Sequence, residues 1–116
     1  MTIHEDIISD VAVVRVGGRV TLTDGTTVFD NALQRLIKDG RLKLIIDLAE
    51  VPYIDSTALG IILRAHATVT RRGGTLKMLH LRGHVHELFE LTRLLTVIDA
   101  FDSEPAALAS VGVNAS

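Results

Sequence analysis

Apolar residues fall in short blocks along this chain, each bounded by turn-forming residues. Ile3 to Ile8 and Val11 to Val16 are β-prone runs separated only by Ser9 and Asp10, a spacing that predicts an opening hairpin. Gly17 and Gly18 then bend or interrupt the second run, and Arg19 to Leu22 extends it. Asp24-Gly25-Thr26 marks a turn and a helix start. Phe29, Ala32, Leu33, Leu36 and Ile37 follow at the spacing of one helical face, and Gly40 stands where a helix stops. Leu42 to Leu48 is almost wholly apolar before Asp47, as expected of a central strand covered on both faces.

The period then returns to that of a helix. From about Thr57 to Arg72, the residues Leu59, Ile62, Leu63, His66 and Val69 share a face, and Gly73-Gly74 stops the helix. Thr75 to Leu81 alternates, with Leu76, Met78 and His80 on one side and Lys77, Leu79 and Leu81 on the other. Val85, Leu88, Phe89 and Thr92 form a third helical stripe. Thr96 to Ile98 reads as a short edge strand. Ser103 suits the cap of a last helix with Pro105 in its first turn, and a frayed tail is expected from about Gly112. Strand and helix alternate after the hairpin, which implies right-handed crossovers and a sheet that is parallel in its later part. The expected architecture is α/β: a mixed sheet of four to five strands with helices packed on it. Residues 1–116 read as a single domain, without repeats, linker or low-complexity segment.

Composition narrows the chemistry. The chain has 116 residues, of which 47% are hydrophobic, enough for a core of its own. It contains no cysteine, so disulfides, thiolate catalysis and cysteine-ligated zinc are excluded. A formal net charge of −2 lacks the clustered basic excess that marks nucleic-acid binding. Tyr53 is the single tyrosine and tryptophan is absent, which argues against stacking on bases. No apolar run approaches the roughly 18 residues that span a bilayer, and the first ten residues do not resemble a signal peptide. The expectation is a soluble cytoplasmic domain, without membrane insertion or direct nucleic-acid contact.

The densest chemical signal is Leu44 to Leu63. A strand runs into a short loop that ends at Asp55-Ser56-Thr57, and an apolar helix starts there. Ser56 is thereby set at a helix N-terminus, where unsatisfied N–H groups and the helix dipole accommodate a phosphate. Taken alone, Asp55 or Ser56 is explained as an ordinary helix cap. The block Asp47-Leu-x-x-Val-x-Tyr-Ile-Asp-Ser-Thr-Ala-Leu-Gly60, however, resembles the signature of the STAS family (sulfate transporter and anti-sigma-factor antagonist). The likeness continues through Arg71-Arg72-Gly73-Gly74 and extends over nearly the whole chain.

That resemblance implies the same α/β sandwich and makes Ser56 the phosphoacceptor. It implies a stand-alone anti-sigma-factor antagonist that binds an anti-sigma factor with serine-kinase activity. Phosphorylation would switch it off and a serine phosphatase would reset it. Its partner surface would include Asp24, Asp55, Thr57, Ala58 and Gly60. The family usually has glycine where this chain has Ala58. Asp55 would either orient the Ser56 hydroxyl or cap the helix, and Thr57 offers a neighbouring hydroxyl pointing elsewhere. The chain would be a kinase substrate and not an enzyme, a monomer or weak dimer without a cofactor.

Two other readings stand beside it. A STAS subunit of a lipid-transport or sensory assembly would make Ser56 dispensable and an apolar helix face the interface. A small enzyme or nucleotide-binding domain would need convergent titratable groups, which the sequence does not signal. His84-x-His86 is the tightest pair among His4, His66, His80, His84 and His86. Residues i and i+2 of a helix do not face each other, so no metal site is expected.

Overall fold

The computed structural model describes residues 1–113. Strand β1 (Thr2–Ile8) and β2 (Val11–Gly17) form the hairpin, which turns on Ser9 and Asp10 with Ser9 in the left-handed region at φ 57°. Then come α1 (Thr26–Lys38), β3 (Lys43–Glu50), α2 (Ser56–Arg71), β4 (Thr75–Leu79) and α3 (Gly83–Leu91). A 3₁₀ turn (Leu94–Thr96), β5 (Ala100–Phe101) and α4 (Glu104–Ser110) complete the described chain.

The five strands lie side by side in chain order. β1 and β2 are antiparallel, and each later neighbour pairs parallel. All three crossovers step in one direction along the sheet. Right-handed crossovers repeated in one direction put their helices on one face. Residues of α1, α2 and α3 accordingly share one core with Ala12, Val14, Val16, Leu44, Ile46, Leu48, Leu76 and Met78. The alternate residues Val11, Val13, Ile45 and Leu79 face the other way and are covered by Ala107, Leu108 and Val111 at α4. The expected two-sided burial of the central strand follows: Leu44 to Leu48 are all buried, with Asp47 7% exposed. Each large apolar side chain removed from water here contributes about 1.5–3 kcal/mol before entropy is counted.

Several boundaries differ from the sequence pattern. Arg19 to Leu22 does not prolong β2. Val20 instead forms a single parallel bridge to Ile54, and Thr21 pairs back on Asp24 in a tight turn. β4 ends at Leu79, because His80 takes a left-handed φ of 61°. The expected strand at Thr96–Ile98 is replaced by the 3₁₀ turn. Leu94 and Ile98 are buried in the main core there, with the Ile98 N–H donating to the Leu94 carbonyl at 2.8 Å. The true edge strand lies just beyond and pairs only Ala100 with Met78 and Phe101 with Leu79. Gly112 and Val113 are not frayed: their amides bond to the Ala109 and Leu108 carbonyls, and Val113 packs on the second core. The rest of the expected frayed tail lies outside the described residues.

Two adjacent glycines end α2 for different reasons. Gly73 takes φ 82°, which closes the helix. A Cβ on Gly74 would fall 2.1 Å from the Leu42 carbonyl oxygen, so the chain passes β3's approach only without a side chain.

Candidate functional site

Asp47 begins the motif, on the α4 side of the sheet. The β2–β3 register slips between Arg15 and Gly17, so β3 carries one residue more than its neighbour. The slip frees the Ala49 amide from the ladder, and Asp47 Oδ1 accepts it at 3.0 Å. The same carboxylate takes Arg15 at 3.1 Å and His80 Nδ1 at 3.0 Å. Arg15, on β2, also reaches Asp6 of β1 and Glu104 of α4, so three elements besides its own meet at one guanidinium. Burial pushes the Asp47 carboxyl up, but the Ala49 amide, His80 and Arg15 outweigh it and hold it below the usual carboxylate range. This cluster is structural, and it faces away from the helix start.

Beyond β3 the chain turns through Val51 to Ile54. The Val20 amide donates to the Tyr53 carbonyl at 3.1 Å, and the Asp55 amide to the Val20 carbonyl at 3.3 Å. This short rung brings the β2–α1 loop beside the start of α2. Asp55 is the N-cap, accepting the Ala58 amide on Oδ1 at 3.1 Å. Its second oxygen accepts the Leu22 amide at 2.7 Å. Partial burial raises the Asp55 carboxyl, but the Leu22, Ala58 and Thr57 amides lower it further, so it stays ionised. One carboxylate thus caps the helix and ties down the neighbouring loop.

Ser56 is the first residue of α2 and is exposed. Among the described residues its hydroxyl makes no hydrogen bond. Thr57 is half-buried and lies a hundred degrees or so around the helix. Asp24 is exposed, and its backbone closes the turn that presents Leu22. Gly60 lies one turn after Ser56, with open space where a Cβ would stand. Ala58 departs from the expected partner set. It is fully buried, so its methyl packs into the core under the helix start and offers no surface to a partner.

Sequence reasoning missed three features here. Leu22 is 70% exposed at the tip of its turn, although its own amide is held by Asp55. Tyr53 and His84 stack with ring centroids 4.7 Å apart. Arg19 places its guanidinium carbon 4.8 Å from the Tyr53 centroid. No local signal joins residues 19, 53 and 84. Of the histidine pair, His86 bonds Glu90 at 2.8 Å on its own helix, so the two face different surroundings.

An α/β sandwich with an exposed serine directly after a capping aspartate defines the class. The family model for the STAS domain matches residues 2–107, and the chain belongs to the STAS domain family. It is 26% identical over 106 residues to the anti-sigma F factor antagonist of Paenibacillus polymyxa, covering 89% of this chain and 88% of that one. An anti-sigma factor antagonist from Mycobacterium paratuberculosis superposes with a TM-score of 0.86 at 22% identity, covering 95% and 92% of the two chains. The phosphorylated form of SpoIIAA, a Bacillus cell fate determinant, superposes at 0.73 with 15% identity over 95% and 99%. Both structural likenesses bear on the fold. Among the described residues, no helix is long and apolar enough to cross a membrane.

Proposed function

We propose that this chain is an anti-sigma-factor antagonist switched off by phosphorylation of Ser56. The unmodified chain binds an anti-sigma factor that is also a serine kinase, and the sigma factor is released. The kinase transfers the γ-phosphoryl of ATP to Ser56 Oγ; the bond to ADP breaks as the new O–P bond forms, and the hydroxyl proton leaves to a base on the kinase. Phosphate at Ser56 adds about −1.5 to −2 charges at the contact surface, and the complex dissociates. A serine phosphatase resets the site by hydrolysis. In this reading the chain is a substrate and a binding protein, not an enzyme, and it acts in the cytoplasm.

One observation carries the reading. Asp55 already caps α2, which leaves the exposed Ser56 hydroxyl with no structural task. A serine that merely capped the helix would be bonded to an amide within the next turn.

The test uses the purified chain with each anti-sigma-factor kinase of the source organism, ATP and magnesium. The expected product is a single phosphate mapped by mass spectrometry to Ser56, absent in Ser56→Ala, with binding lost in Ser56→Asp. Modification at Thr57, or equal binding by Ser56→Asp and wild type, would refute the switch. A second reading, a non-switching interaction subunit of a lipid-transport or sensory assembly, draws on Leu91. That residue is 81% exposed at the end of α3, and Val97 nearby in sequence is 56% exposed. Loss of assembly in Leu91→Glu, with Ser56→Asp silent, would select it.

A further inference from the structure

The Ser56 switch makes no use of the three side chains stacked beside it. Arg19, Tyr53 and His84 come from three separate segments: the β2–α1 loop, the β3–α2 loop and the first turn of α3. The Val20–Ile54 bridge sets Arg19 and Tyr53 in register, three residues ahead of Ser56. Tyr53 and His84 lie nearly parallel, 5° apart, and the Arg19 guanidinium stands over the same tyrosine ring. Arg82 and His84 also line a shallow open groove with Val51 and Pro52, in which Glu50 is the one carboxylate.

Arg15, Arg35 and Arg64 are the arginines held in ion pairs among the described residues; Arg19 and Arg82 are not. Two arginines without ion pairs and an aromatic stack therefore lie on the loops that lead to Ser56, while Asp55, the carboxylate directly before that serine, is already engaged by the Leu22 and Ala58 amides. Stacking on Tyr53 already restricts the Arg19 rotamers, so less entropy is lost when the guanidinium binds. Tyrosine and arginine held in this way are the residue types that dominate binding energy at protein interfaces.

We propose that the Arg19–Tyr53–His84 stack is the anchor that docks a carboxylate-bearing surface of the anti-sigma factor and selects among such factors. The inference rests on the proposed function and names the chemistry of its partner. It also accounts for release, because a phosphate at Ser56 would stand against the same partner carboxylates, where like charges repel.

Calorimetric titration of the full chain into each purified, nucleotide-bound anti-sigma-factor kinase of the source organism tests it. Arg19→Glu is expected to weaken the complex about thirtyfold and Tyr53→Ala about tenfold. The Arg19 effect should shrink when ionic strength rises from about 0.05 to 0.5 M. Arg72→Glu is the control. It lies past the far end of α2, about 24 Å from Ser56 by helical rise, and should bind as wild type does. Thermal unfolding confirms that each variant is folded. If Ser56→Asp loses binding while Arg19→Glu and Tyr53→Ala stay within about twofold of wild type, the anchor is wrong and the switch stands. If Arg19→Glu fails to bind while Ser56→Asp binds normally, the anchor stands and the switch is wrong. Should no anti-sigma factor bind the wild type, both fall.

Discussion

Replacing Asp55 tests whether one carboxylate holds two pieces of the site together. Oδ1 accepts the Ala58 amide as the α2 cap, and Oδ2 accepts the Leu22 amide from the β2–α1 loop. Loss of an aspartate cap costs about 1 kcal/mol. Loss of a partly exposed hydrogen bond to a charged acceptor costs about 1 kcal/mol more. Asp55→Ala should therefore destabilise the chain by about 2 kcal/mol. Unfolding entropy at about 2.1 cal/mol/K per residue is about 0.24 kcal/mol/K for the 116 residues, so the melting temperature should fall by about 8 °C. Asp55→Asn separates the two roles. An amide has one oxygen that accepts and a nitrogen that cannot, so only one of the two bonds survives. That variant should lose about 1 kcal/mol and about 4 °C. Urea and thermal unfolding by circular dichroism supply the energies, and hydrogen exchange at the Leu22 and Ala58 amides shows which bond was lost. An asparagine variant as stable as wild type, or as weak as the alanine variant, would refute the double role.

Gly60→Ala should raise stability by about 0.5–1 kcal/mol, since its methyl meets nothing within 4 Å and helical glycine is entropically costly. The same methyl stands beside Ser56, so calorimetry should show weaker anti-sigma-factor binding from the more stable protein. Gly74→Ala should act oppositely, costing about 1–3 kcal/mol in urea unfolding, because its Cβ would meet the Leu42 carbonyl oxygen at 2.1 Å. Asp47 predicts the acid limb of stability. Its folded carboxyl is depressed below the usual value of 3.8, so its contribution is present above that value and lost as pH falls through the folded one. Asp47→Asn should flatten that limb in a pH series of melting temperatures.

Much of the fold was legible from local pattern. Period-2 and period-3.6 spacing located the hairpin, α1, α2, the central strand and the α3 stripe, because burial on one face imposes those periods wherever an element packs. Turn and cap chemistry placed the stops at Gly40 and Gly73-Gly74 and the cap at Ser103, because these depend on a few neighbouring residues. The Asp55-Ser56 junction was visible for the same reason. The short edge strand was misplaced at Thr96–Ile98, because a two-residue strand has no period, and only its pairing with Met78 and Leu79 defines it.

What tertiary structure alone decided are the contacts between segments distant in sequence. Ala58 reads as part of an exposed motif but is fully buried, since the angle at which α2 leaves the loop sets which side meets the sheet. The Arg15 cluster joins residues 6, 15, 47 and 104, because the register slip and the return of α4 to the second face bring them together. The stack of Arg19, Tyr53 and His84 follows from a single backbone rung and the placement of α3. Local periodicity records which faces are buried; it holds no information on which buried face meets which, and that choice is made by packing the whole chain at once.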